Sequence, residues 1–227
     1  MLLSGLVALS LGAASQPAPQ RADSRTRVEL AEFAECLVKS RRSDARNAVL
    51  EDWDSRKLAY RELLAARDCV RIGRRLRVNS EVLRANLAGA LIAADLGPQD
   101  PAAITAAPML AYPAPDPLRT LDAKGRPVGS DSIERQNAAI QRKLSWRAIA
   151  QFGDCVARAN PAAVPALAAS QVASESELAA LKAFSPQMPA CLPRGVKLEL
   201  DRSSLRGAIT LAYYRLATAA RAAGGAK

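Results

Sequence analysis

The stretch that decides the fold runs Cys69-x3-Gly73-x2-Leu76-x-Val78-x4-Leu83-Arg84-x2-Leu87-x2-Ala90, because it returns later as Cys191-x3-Gly195-x2-Leu198-x-Leu200-x4-Leu205-Arg206-x2-Ile209-x2-Ala212. One offset holds from the cysteine to the last alanine. A shorter block upstream matches as well: Leu30-Ala31-x-Phe33-x-Glu35-Cys36-Leu37 lies over Ile149-Ala150-x-Phe152-x-Asp154-Cys155-Val156, with three residues inserted between the blocks in the second copy. A period of more than about a hundred residues implies a duplicated unit, since solenoid repeats are much shorter. The expectation is an all-α chain of two tandem four-helix units, residues 24–97 and 145–220, joined by a Pro-rich linker over 98–144.

Within the first unit, Thr26-x-x-Glu29 is a capping box ahead of an apolar face of Leu30, Phe33, Ala34 and Leu37. Ser43-Asp44 opens a second helix through Leu50, and Asp54-Ser55 a third that runs to Cys69 and ends at Gly73. Asn79-Ser80 cap a fourth, which Gly97-Pro98 stop. The second unit follows with Ser145 before Trp146, Asn160-Pro161, and the capping box Ser174-x-x-Glu177. Pro186 and Pro189 break its third helix before Cys191. The linker holds an extended Pro113-Ala-Pro115-Asp-Pro117, a tight turn or hairpin at Asp122-Ala-Lys-Gly125-Arg, and a polar helix over Ser132 to Arg142.

Four cysteines permit three pairings. Duplication selects one, because each ancestral unit must have been complete alone: Cys36 with Cys69, and Cys155 with Cys191. The spacings of 33 and 36 residues match no zinc or thioredoxin pattern. Closing loops of this length contributes about 4 kcal/mol each on the chain-entropy estimate. That matters here, because an apolar fraction of 49% with only 4% aromatic residues is largely alanine, which favours helix but buries little surface.

The first fourteen residues, MLLSGLVALSLGAA, are uncharged and apolar, too short for the ~20 needed to span a bilayer. Residues 1–14 read as a signal peptide, with Gly12 and Ala14 at the cleavage positions, although no Lys or Arg precedes the apolar run. The mature chain is expected in the periplasm or outside the cell, with no membrane span after signal removal.

The net charge of +10 arises from 32 Lys and Arg against 22 Asp and Glu. It suits either a soluble basic protein or one that meets anionic partners. The absence of histidine removes the commonest general base and metal ligand and excludes Ser-His and Cys-His nucleophile pairs. No catalytic, metal or cofactor residue is assigned. Glu51, Asp52 and Asp54 cluster near Trp53, but acids beside a helix start are ordinarily caps. The basic run Arg71-Ile-Gly-Arg74-Arg75-Leu-Arg77 lacks aromatic residues for stacking on bases, so it reads as a solvated turn and no nucleic acid is expected. Tyr213 and Tyr214 read as core.

Two charged positions recur: an acid before the first cysteine (Glu35, Asp154), and an arginine after the fourth helix's first leucine (Arg84, Arg206). They are either internal ion pairs or solvated positions, or else Arg84 and Arg206 line equivalent pockets for a carboxylate or phosphate.

These motifs resemble a set of uncharacterised exported alphaproteobacterial proteins that share a signal peptide, an F-x-x-C-V type segment and a later cysteine before a leucine-arginine helix. The matching residues are Phe33 and Cys36; Phe152, Cys155 and Val156; and Cys191, Leu205 and Arg206. Leu37 replaces the valine in the first copy. The resemblance implies no activity. The functional expectation is a non-enzymatic exported protein that meets an envelope protein or anionic polymer, the alternative being a periplasmic binding module for a small anion.

Overall fold

A computed structural model describes residues 24–51, 63, 67–69, 79–112, 114–193, 195 and 198–224. The expected signal segment, the Arg71–Arg77 run, Gly73, most of the expected third helix and the acids at 52 and 54 lie outside the described residues. Among those described, the chain is helical: α1 Ser24–Ser40, α2 Arg42–Leu50, α3 Ser80–Asp95, α4 Pro101–Thr105, α5 Ser130–Ala159, α6 Val164–Ala169, α7 Glu175–Lys182, α8 Met188–Cys191 and α9 Arg202–Gly224. A 3₁₀ turn covers Arg67–Cys69.

Local chemistry explains most of the boundaries. The apolar face of α1 buries Leu30, Phe33, Ala34, Leu37 and Val38, the spacing that one helical stripe requires. Asn79 caps α3, its Oδ1 accepting from the Glu81 amide at 2.9 Å. Ser174 caps α7, accepting from Glu177. Pro186 lies between α7 and α8, and Pro189 sits in the first turn of α8, so the chain is interrupted and restarts before Cys191 as expected. α1 differs from expectation: it is already helical at Ser24, so Thr26 is not its cap, and Glu29 pairs with Arg25 at 3.1 Å.

The segment between the halves is more ordered than its prolines suggest. Asp100 caps α4, with Pro101 in the first turn, and Ile104 reaches the core. A hairpin forms at Asp122–Arg126, closed by a bridge between Leu121 and Pro127. The polar helix expected over 132–142 and the helix expected at Ser145 are one 30-residue helix, α5. Ser145 sits inside it, its hydroxyl donating to the Gln141 carbonyl at 3.0 Å, an arrangement that satisfies a serine without ending the helix. Buried residues in α5 begin only at Ala148.

Both expected disulfides are present, Cys36–Cys69 and Cys155–Cys191. The first ties α1 to the 3₁₀ turn and the second ties α5 to α8. α3 packs on α1 and α2, α9 packs on α5, α6 and α7, and α3 and α9 pack on each other. One continuous apolar cluster runs through both halves, with Leu87, Leu91, Phe152, Ile209, Tyr213 and Tyr214 all buried. The expectation for the two tyrosines is met.

The α3–α9 contact is set by small side chains. A Cβ on Gly207 would stand 2.7 Å from the Ala85 Cβ, and one on Gly153 of α5 would stand 2.4 Å from the Ala208 carbonyl oxygen. Only glycine permits these approaches. Ala85 meets Gly207, Gly89 lies near Thr210 and Asp95 meets Tyr214, so numbers rise together and the helices run parallel.

Candidate functional site

The recurring arginines are placed alike. Arg84 is 2% exposed, and its guanidinium donates to the Val49 carbonyl at 2.9 and 3.2 Å and to the Glu51 carbonyl. These are the open carbonyls at the end of α2. Arg206 donates to the Ala168 carbonyl at 2.9 Å, to the Ser170 carbonyl at 3.1 Å and to the Ser170 hydroxyl at 2.8 Å, at the end of α6. Each arginine therefore closes the C-terminus of the short helix before it, where orphan acceptors and the negative end of the helix dipole favour a cation.

Arg206 has a further partner. Glu177, 0% exposed, lies 3.4 Å from its Nη1 and receives two 2.7 Å bonds from Arg27 of α1. Burial pushes the Arg206 pKa down, and Glu177 opposes the shift. Glu177 also accepts from the Ala173 amide, a residue with φ of 64°. One buried carboxylate thus fastens α1 to α7 and α9.

The recurring acids part company. Asp154 is buried and holds Arg158 at 2.8 Å; Arg158 also donates to the carbonyls of Thr105, Ala107 and Pro108, which strap the inter-half segment down. Glu35 is exposed.

A third cluster was not foreseen from sequence. At the end of α3, Asp95 accepts from Arg46 at 3.1 Å and from the Tyr214 hydroxyl at 2.7 Å, and lies 3.1 Å from Arg42. Arg42 also donates to the Ala94 carbonyl and Arg221 to the Asp95 carbonyl. The Asp95 side chain is 5% exposed, while Arg42 and Arg46 are 53% and 48% exposed. Hydrogen bonding to Asp95 raises the Arg46 pKa, and burial, reinforced by Asp95, pushes the Tyr214 hydroxyl up to about 12. The spacing Arg42-x3-Arg46 was visible in the sequence; its partner on α3 was not.

Two grooves flank the α3–α9 seam, and Ala85 and Gly207 line both. The first, about 600 Å³, lies between α1, α3, α9 and the chain after α6, with Arg27, Glu32, Glu35, Lys39 and Arg206 on its walls. The second, about 750 Å³, lies between α3, α5, α9 and residues 198–201, with Trp146, Ile149, Leu198, Leu200 and Leu211 facing Glu81, Glu199 and Asp201. Two positions exchange between them along the sequence match, Arg27 for Trp146 and Gly89 for Leu211, while Leu30 and Ser203 line both. Arg206 thus borders a groove, whereas Arg84 borders neither.

Among the described residues, no group of three or more His, Cys, Asp or Glu is arranged to hold a metal ion, and no helix is long and apolar enough to cross a membrane. No protein-family model matches the chain, and neither a curated protein nor a solved structure is significantly similar to it.

Proposed function

We propose that this is an exported, non-enzymatic interaction protein of the cell envelope, and that it docks an anionic polymer on the arginines gathered around Asp95. The observation that carries this reading is the charge imbalance there: Arg42 and Arg46 converge on the Asp95 carboxylate and remain about half exposed, and Arg221 donates to the Asp95 main-chain carbonyl beside them. Guanidinium groups so placed keep donors for phosphate, sulfate or carboxylate groups, and the net charge of +10 favours such partners at long range. Two disulfides fit an oxidising compartment, and the uncharged apolar run at residues 1–14 fits a signal segment.

In this reading the chain is a duplicated four-helix unit, residues 24–97 and 145–220, related to the exported alphaproteobacterial proteins it resembles. Matching arginines on matching helix ends, and the contact of Ala85 with its counterpart Gly207, support a pseudo-two-fold pair.

Retention on immobilised heparin tests the docking surface. The protein should elute well above physiological salt, and Arg42→Gln with Arg46→Gln should shift elution to lower salt. Equal retention of that variant would overturn the reading. The alternative, a module for a small anion, draws on Arg27, Lys39 and Arg206 in the first groove. Saturable binding of citrate or phosphate there, with no heparin retention, would favour it; but Glu32 and Glu35 share that groove and Arg206 already serves α6 and Glu177, so the polymer reading is preferred.

A further inference from the structure

The second groove has the wrong charge for this protein. In a chain with ten excess positive charges, it is lined by three carboxylates and, among the described residues, by no lysine or arginine. Its remaining walls are chiefly apolar, and its volume of about 750 Å³ is that of a small-molecule site.

The three carboxylates differ. Asp201 caps α9, accepting from the Ser204 amide at 2.7 Å and its hydroxyl at 2.8 Å, and these bonds hold its pKa low although burial opposes them. Glu199 has an interaction of its own. Glu81, in the first turn of α3, has one carboxylate oxygen enclosed and without a hydrogen-bond partner, and its burial raises its pKa although the charge of Arg84 opposes the shift. A carboxylate with an unpartnered oxygen on an apolar wall is stabilised by a cationic donor, and an indole lining the same groove attracts the same charge.

We propose that this groove binds a small organic cation with an apolar body, the ammonium or guanidinium head on Glu81 and the body against Trp146, Leu200 and Leu211. The first groove is the internal contrast. At the matching positions it carries Arg27 for Trp146 and Gly89 for Leu211, so it sets a cation where the second groove has an indole and lacks the large apolar wall. The two grooves would then take ligands of different charge on one frame. This site stands apart from the arginines around Asp95, and heparin retention does not depend on it.

Titration calorimetry of the full mature chain with phenethylammonium chloride, and with neutral phenethyl alcohol, tests the assignment. Phenethylammonium should bind saturably at one site in the millimolar range or tighter, and more tightly than the alcohol. Glu81→Gln should weaken it about tenfold or more and leave the alcohol unchanged. Independently of any acid variant, the Trp146 indole proton resonance, assigned by its loss in Trp146→Phe, should move on titration of the unaltered protein. No saturable binding, equal affinity for ammonium and alcohol, an unmoved Trp146 resonance, or a folded Glu81→Gln that binds as tightly as the parent would each overturn the proposal.

Discussion

Ala85 on α3 and Gly207 on α9 occupy matching places in the two aligned stretches of sequence, and they touch each other: a methyl group on Gly207 would lie 2.7 Å from that of Ala85. Gly207→Ala should therefore force the two central helices apart and lower stability by about 1–3 kcal/mol. Ala85→Gly should recover part of that loss, although glycine alone weakens a helix by about 1 kcal/mol. A double-mutant cycle by urea denaturation measures the coupling, and additive effects would show that the seam tolerates the methyl.

Arg84 and Arg206 should prove indispensable to stability. Arg84→Met leaves the Val49 and Glu51 carbonyls without their donor and should lower stability by about 2–4 kcal/mol, with heparin retention little changed. Thermal melts beside heparin elution separate the two effects.

Glu177 holds Arg27 and Arg206 together, and removing its charge leaves both arginines largely enclosed and uncompensated. Glu177→Gln should lower stability by about 3 kcal/mol, measured by chemical denaturation. A change within experimental error would mean that water replaces the carboxylate.

Tyr214 predicts an alkaline transition. Its folded pKa is pushed up to about 12 from an ordinary 10.0. The unfolded chain therefore loses this proton first, and the stability that the neutral hydroxyl contributes is full below about pH 10 and falls as pH rises toward 12. Tyr214→Phe should lower stability near neutral pH by about 1–2 kcal/mol, through loss of the bond to Asp95. The gap between the two proteins should narrow above pH 10, as followed by pH-resolved melting.

A non-reducing peptide map should recover Cys36 linked to Cys69 and Cys155 linked to Cys191. Reduction should lower the melting temperature in two separable steps if either bond is opened first, each worth on the order of 4 kcal/mol. Mixed linkages between the halves would contradict the structure.

The parts of this molecule that could be read from sequence are those whose chemistry is local or recurs. The capping side chains of Asn79 and Ser174 announce their helices, and the repeated cysteine spacing selects the pairing. Ser145 misled, because a serine inside a helix can bond back to the preceding turn and carries the same letter as one at its start. α4 was hidden by its neighbours: Asp100-Pro101 is a good helix opening, but the surrounding prolines suggested an extended chain. Arg84 and Arg206 were singled out by position, not by role, since the carbonyls they serve belong to backbone more than thirty residues upstream and leave no mark on side-chain identity. The second groove draws on α3, α5, α9 and residues 198–201, so no single stretch of sequence announces it.

The arginine-closed helix ends also bear on how the chain assembles as it is made. α2 has nine residues and α6 six, too few to persist alone in water. Each is completed by an arginine that arrives later, and α6 waits for Arg206 on α9, the last helix of the described chain. That same helix supplies the partner surface for α3 and α5. Until α9 emerges, neither half has its full wall, so the nascent protein stays loose to a late stage and then closes cooperatively. A chain cut short before Arg202 should be degraded as an unfolded polypeptide, disulfides or not.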